Sequence, residues 1–371
     1  MGRSAVQDLA QMSLCDLDFT RLRWRSQDQP LDWQERIFGT RVNRNMAETG
    51  NAMTLVSLPI NPVPAGALVG AFAGYDGRLL RYARWEPTRG PARGTVCVFP
   101  GRGEYIEKYF EVVADLRRRG FAVAVMDWRG QGGSQRPLSN PHKGHVVGFT
   151  EYDRDLARFM DDIVLPEMPP PYVALAHSMG GNILLRNAQD PQSWFERMIL
   201  VAPMIAIHDE AIGYGRKTAR LYAELAGLSG LSTAYVQGGD DEPEELVDFE
   251  TNLLTSDFVR WSRNKAVLEA APGLGLGSPT IGWFKSALRS CAVLQRPDYP
   301  KFVEVPLLMF AAGADRIVSA KAIEDFAVEL KIGGHILMPG SRHEILQEND
   351  AIRQRFWAAF DAYLSVGLKA A

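Results

Sequence analysis

Cysteine is scarce in this chain: Cys15, Cys97 and Cys291 are the three in 371 residues. They are too few and too widely spaced for a disulfide framework or a cluster of metal ligands. A reducing compartment, the cytoplasm, fits them. Long apolar runs are missing too, and none approaches the roughly 18–20 residues that a helix needs to span a bilayer. Charges interrupt residues 1–50 throughout, so the apolar centre of a secretory signal is not expected there. Neither sign of charge dominates: 41 Lys and Arg stand against 44 Asp and Glu, a net −3. That balance argues against a nucleic-acid binder, which carries a basic face or stripe. Internal repeats and low-complexity tracts are also absent.

What is present is ordinary globular composition, 46% hydrophobic and 23% charged, in a chain long enough for a large core. Residues 1–65 read as a weakly ordered extension. Its arginines, among them Arg3, Arg21 and Arg44, are diluted by Asp8, Asp16 and Glu35. Met46 and Met53 are alternative starts.

Beyond the Pro-rich stretch 59–64, apolar runs alternate with helical spacing. Residues 67–74 and 78–85 predict two strands around Asp76-Gly77, a strong hairpin signal. The runs 94–99, 121–126, 172–176, 197–202, 305–311 and 334–338 are short and almost wholly apolar, as strands buried on both faces are. Helical segments fall at 104–119, 150–164 with Thr150 as N-cap, 179–189, 319–330 and 350–366. Strand and helix in short alternation predict an α/β fold: an eight-stranded, mostly parallel sheet with helices on both faces. The rhythm breaks at 204–300, which reads as an inserted, mainly helical lid between core segments 66–203 and 301–371.

One motif in this pattern carries chemistry. Residues 174–181 read Ala-Leu-Ala-His-Ser-Met-Gly-Gly between a buried strand and a helix. A sharp strand-to-helix turn there projects the Ser178 hydroxyl above the sheet and tolerates only small neighbours, here Ala176 and Gly180. It also places Ser178 at a helix N-terminus, where developing negative charge is favoured. A bare match of this length is weak, and most serines are surface or capping residues; the flanking strand and helix supply the context.

A serine hydroxyl needs a base. In a Ser–acid–His chain order, only His335 and His343 of the six histidines follow an acid after the sixth strand. His335 opens a strand pattern and reads as structural. His343 sits in a polar loop after the last strand, where a base is carried. Asp315 follows the preceding strand and would hold the imidazole tautomer; helix 319–330 has Ser319 as its better cap. Glu344 and Glu348 read as helix-start or surface acids. The oxyanion donors are expected to be the backbone N–H groups of Met179 and of Arg102, in the glycine-flanked loop Pro100-Gly101-Arg102-Gly103.

Taken together, the elbow AHSMGG (176–181), GRGEYIEKY (101–109), DWRGQGGS (127–134), GHVVGFTEYDRDL (144–156), AAGADRIVS (311–319) and SRHEILQE (341–348) resemble the monoacylglycerol lipase and bacterial lysophospholipase branch of the α/β-hydrolases. The likeness covers residues 66–366. The lid pieces NLLTSD (252–257) and GSPTIGWF (277–284) look most like the bacterial lysophospholipase-type members. Pro100 stands where monoacylglycerol lipases usually carry a histidine. The resemblance implies the same triad roles, and for Asp127 and His145 structural ones: ordering loop 127–134 and satisfying a hydrogen bond near the lid hinge.

These readings converge on a serine hydrolase of single-chain lipid esters, working through an acyl-enzyme without metal or organic cofactor. Trp283 and Phe284 are candidate acyl-pocket residues, with Trp261 beside them in the lid. An amphipathic lid would touch a membrane surface reversibly, without spanning it. Three alternatives share the fold. An acyltransferase would replace water by an alcohol, and an aminopeptidase or amidase would use an acid cluster such as Asp240–Glu245 to grip an amine. A non-catalytic binding protein is opposed by the intact Ser178, Asp315 and His343.

Overall fold

The computed structural model describes residues 54–212 and 215–365; Cys15, Met46 and Met53 lie outside them. Eight strands form one sheet: β1 Leu68–Ala73, β2 Leu79–Trp85, β3 Thr95–Phe99, β4 Ala122–Met126, β5 Tyr172–His177, β6 Arg197–Val201, β7 Leu307–Ala312 and β8 Gly333–Met338. Their order across the sheet is β1-β2-β4-β3-β5-β6-β7-β8. The β1–β2 hairpin is antiparallel and β2 meets β4 antiparallel, while β4, β3, β5, β6, β7 and β8 run parallel. This is the expected eight-stranded, mostly parallel α/β architecture.

Side-chain alternation along each strand divides the core between the two faces. Val96 and Val98, Val123 and Val125, and Ile199 and Val201 face α1 (Phe110–Arg118) and the C-terminal helix Asp350–Ser365. Cys97, Phe99, Ala124, Ala174 and Leu200 face the other way, into the cluster built with α2 (Thr150–Phe159). α3 is a single turn, Leu165–Glu167, and α4 is Met179–Asn187, the helix that follows the Ser178 elbow. α1 ends as its sequence suggests, on Arg117 and Arg118 with Gly120 at φ +86 just beyond.

Three local expectations are corrected. Helix 150–164 is not continuous α-helix, because Met160–Val164 widens into a π-helical turn. Thr150 is not its cap: it is already helical, the cap position is Phe149, and no side chain caps it. Residues 54–65, expected within a loose extension, are docked on the core. Val56 N–H donates to Glu107 and the Asn61 amide to the Glu107 carbonyl, while Pro64 accepts from Trp85 Nε1.

Between β6 and β7 lie α5 Asp209–Ile212, α6 Arg216–Leu228, α7 Phe258–Ala270 and α8 Ile281–Leu294. α8 is capped by Thr280, whose hydroxyl accepts from Trp283 N–H, and it packs on α4 and α6. The chain returns to the sheet through β7, α9 (Ala320–Val328, capped by Ser319) and β8, and ends in α10 (Asp350–Ser365).

Candidate active site

The C-terminal ends of β5, β7 and β8 bring three of the sequence-derived residues to one place. Ser178 sits between β5 and α4 with φ 49 and ψ −111, a strained conformation for a residue with a side chain. The turn is held by Ser178 N–H donating to Val201 O at 3.0 Å and by Ser178 O accepting from Met204 N–H at 3.0 Å. Gly180 is obligatory by contact: a Cβ there would lie 2.4 Å from Phe99 O and 2.7 Å from Pro100 O. The first turn of α4 is thereby pressed against the loop after β3.

His343, in the loop after β8, presents Nδ1 to Asp315 Oδ2 at 2.7 Å. The other oxygen of Asp315 accepts the Ile317 and Val318 amides at 2.8 and 3.0 Å. Burial alone would raise the Asp315 carboxyl, but His343 and these amides outweigh it and hold it below its ordinary range. With Nδ1 donating to a carboxylate, Nε2 is the atom of His343 left to accept a proton.

The loop Pro100–Gly103 runs beside Ser178. A Cβ on Gly101 would meet Ser178 Cβ at 3.2 Å, so the glycine is what lets the loop approach. Arg102 and Ser178 line one cleft of about 350 Å³, together with His177, His343 and Glu344. Its apolar wall includes Met204, Leu254, Leu276 and Val318. Trp283 and Phe284 line it, whereas Trp261 is elsewhere, packed with Phe249 and Phe258. The Arg102 guanidinium stacks 5.1 Å from the Trp283 ring centroid and donates to Gly277 O at 2.7 Å. Its Nε is buried with no partner among the described residues. Burial, only partly offset by Tyr152, Glu245 and Tyr235, lowers it to about 10.

This geometry has relatives. The family described as serine aminopeptidase, S33, matches residues 90–350. The chain belongs to this α/β-hydrolase family. Lysophospholipase L2 of Escherichia coli is 31% identical over 290 residues, covering 76% of this chain and 83% of that protein. The monoacylglycerol lipase of Mycolicibacterium smegmatis is 25% identical over 279 residues, 75% of this chain and 90% of its own. Among solved structures, a soluble variant of the Saccharomyces cerevisiae monoglyceride lipase superposes with a TM-score of 0.65 at 21% identity, covering 83% of this chain and 98% of that one, a likeness of fold. As a member of this family the chain is a hydrolase.

The S33-family site here has a charged floor that the sequence did not reveal. Lys108 is fully buried, and its Nζ contacts Glu344 as well as Glu245 at 3.1 Å and Glu104 at 3.3 Å. Glu344 and Glu348 are therefore not surface acids: Glu344 is committed to Lys108, and Glu348 accepts from Ser256 and from Arg342 N–H. Nor is the 240–245 loop wholly solvated, since Glu245 is buried on Lys108 and Glu242 and Glu244 line the cleft. Only the residue types GEYIEK in one short loop hinted at such a cluster. Its partners at Glu245 and Glu344 come from 137 and 236 residues away.

Asp127 accepts from Arg81 Nε at 2.6 Å, Gly133 N–H at 2.7 Å and Ile106 N–H at 2.9 Å. It thus ties loop 127–134 to β2 and to the segment leading into α1. His145 Nδ1 lies 3.2 Å from the Thr280 hydroxyl that caps α8, at the edge of the insertion.

Proposed function

We propose that this chain is a serine carboxylic-ester hydrolase of single-chain lipid esters, with lysophospholipid favoured over monoacylglycerol. The observation that carries the reading is the 2.7 Å Asp315–His343 pair at the same apolar cleft as Ser178 on its strained turn. Ser178 attacks the ester carbonyl as His343 Nε2 takes its proton, with Asp315 fixing the tautomer and stabilising the imidazolium. The N–H groups of Met179, at the start of α4, and of Arg102 hold the oxyanion. His343 protonates the leaving alcohol, and water activated by the same histidine then releases the fatty acid.

The apolar wall of Leu254, Leu276, Trp283 and Phe284 suits an acyl chain, and residues 204–300 act as the lid over it. The Arg102 guanidinium, which has no carboxylate within ion-pair distance among the described residues and a buried Nε without a partner among them, favours a substrate carrying phosphate. No helix among the described residues is long and apolar enough to cross a membrane. The exposed leucines of α6 would bring the lid to a lipid surface instead. A second reading, cleavage next to a free amine, draws on Glu242 and Glu244 at the cleft and on the family's aminopeptidase description.

The test is labelling of purified protein by a fluorophosphonate, beside Ser178→Ala, followed by turnover of nitrophenyl esters and aminoacyl nitroanilides. Labelling lost in the variant, with ester turnover, supports the proposal. Turnover confined to the nitroanilides would move it to the second reading, and absent labelling of folded protein would sink both.

A further inference from the structure

His177 directly precedes Ser178, and the mechanism above gives it no role. It is 4% exposed, and its ring centroid lies 4.7 Å from that of His343. Nδ1 stands 3.1 Å from Glu104 Oε2, and Nε2 stands 3.2 Å from the backbone carbonyl oxygen of His343. An ionised carboxylate and a carbonyl oxygen can only accept. Both contacts are hydrogen bonds only when both ring nitrogens carry protons, that is, as the imidazolium.

Glu104 is equipped to keep that charge in place. It also accepts from Tyr109 Oη at 2.6 Å and from the Gly101 amide of the oxyanion loop. Burial would push the imidazole down, but Glu104 outweighs it, aided by Glu344 and opposed by Lys108, and the balance is upward. Reciprocally, burial would raise Glu104, and His177 and Lys108 more than reverse this.

We infer that Glu104 and His177 form a buried ion pair that sets the spacing of nucleophile, base and oxyanion loop. Glu104 grips the loop at Gly101, His177 grips the base at its own backbone, and Ser178 is joined to His177 by the peptide bond. Both are positioning residues, not participants in bond making. The inference rests on the proposed roles of Ser178 and His343. Its consequence is an alkaline limit. Neutral His177 has one N–H for two acceptors, so one grip is released as pH rises through its raised pKa. The charged and titratable groups facing the ring are Glu104 and Lys108 from the segment before α1, and His343 and Glu344 from the base loop. Glu245 of the insertion acts on it through Lys108.

The experiment is the pH profile of kcat on a nitrophenyl ester for wild type, Glu104→Gln and His177→Gln. Glu104→Gln, which removes the charge that holds the imidazolium, should bring the alkaline limb down by a unit or more. It should lower kcat at least tenfold at pH 8 with KM changed less than threefold. His177→Gln, which cannot titrate, should abolish that limb. An alkaline limb at the wild-type position in both variants, with only thermal stability reduced, would overturn the positioning role. A second measurement needs no variant to fold: ring-nitrogen NMR of ¹⁵N-histidine-labelled wild type, where one histidine should keep both ring protons above the pH at which an ordinary imidazole, of pKa about 6.5, has lost one. All histidines neutral there would overturn the ion pair. Failure of Ser178 to label would sink the hydrolase reading separately, leaving the ring spectrum to decide on the pair.

Discussion

Asp315 binds His343 Nδ1 through one carboxylate oxygen at 2.7 Å and the backbone of its own loop through the other. The acid is thus fixed at both ends before substrate arrives, and it is held below its usual carboxyl range. That depression contributes stability present above the ordinary carboxylate pKa of about 4 and lost as pH falls through the native value. In the neutral range Asp315 stays charged, and the orientation of His343 does not vary with pH on its account.

Asp315→Asn keeps the shape and removes the charge. The amide can present N–H to His343 Nδ1, which drives the ring proton to Nε2 and leaves no lone pair for Ser178. By the measure of such triads, kcat should fall by roughly 10³–10⁴ with KM little changed. Steady-state kinetics on a nitrophenyl ester checks this, and a loss below tenfold would remove Asp315 from the proposed triad.

The same geometry shows what sequence could and could not supply. The eight strands were legible because each buried one is a short apolar run, and alternation assigns its two faces. That Ser178, Asp315 and His343 come to one end of the sheet was legible because each sits where a strand end meets a turn. Thr150 misled because a hydroxyl residue before an apolar helical run looks like a cap, while the helix begins one residue earlier than that role needs. Glu344 was misread, and its tie to Lys108 and Glu245 passed over, for a different reason. A charged residue looks solvated unless its partner is visible, and these partners meet only through the fold. The tie between His177 and His343 spans 166 residues and leaves no local spacing to read.

Lys108 offers a direct test of that cluster. Lys108→Met would leave Glu104, Glu245 and Glu344 without their shared cation, and breaking a buried pair costs about 3–5 kcal/mol. Glu344 is already raised, by burial first and then by Glu104 and Glu245, against the pull of Lys108. Without the lysine, the folded state should bind more protons than the unfolded chain at neutral pH. Stability of the variant should therefore fall as pH rises from 5 to 8. Its deficit against wild type, read as Tm across that range, should narrow toward pH 5. A deficit independent of pH would mean that the loss is one of packing alone.

Arg102 is the expected determinant of head group. Its guanidinium is lowered only to about 10, so it remains charged at neutral pH, and no carboxylate among the described residues is within ion-pair distance of it. Arg102→Met keeps the backbone N–H and the stacking bulk beside Trp283. A charge-assisted hydrogen bond of about 1.5–3 kcal/mol corresponds to roughly 10–100-fold in kcat/KM. The ratio of kcat/KM for a lysophospholipid to that for a monoacylglycerol of the same chain should fall by that factor. An unchanged ratio would show that the guanidinium does not meet the phosphate.

The insertion carries the last test. Leu221, Leu225 and Leu228 of α6 are 60%, 56% and 82% exposed, and their spacing of four and three residues puts them on one helix face. None of them lines the cleft. Burying a leucine is worth roughly 1.5–3 kcal/mol, so three of them entering the head-group region make a reversible attachment and not an insertion. A charge at the centre of the row should undo it. Leu225→Asp should lower the fraction of protein sedimenting with phospholipid vesicles at least tenfold, while turnover of a water-soluble nitrophenyl ester stays within twofold of wild type. Hydrolysis of vesicle-borne substrate should fall with the binding, because on the proposed reading the acyl chain must leave the bilayer to reach the apolar wall at Trp283 and Phe284. Unaltered sedimentation would place the leucine face against something other than lipid, and loss of soluble-ester turnover would show that α6 supports the cleft itself.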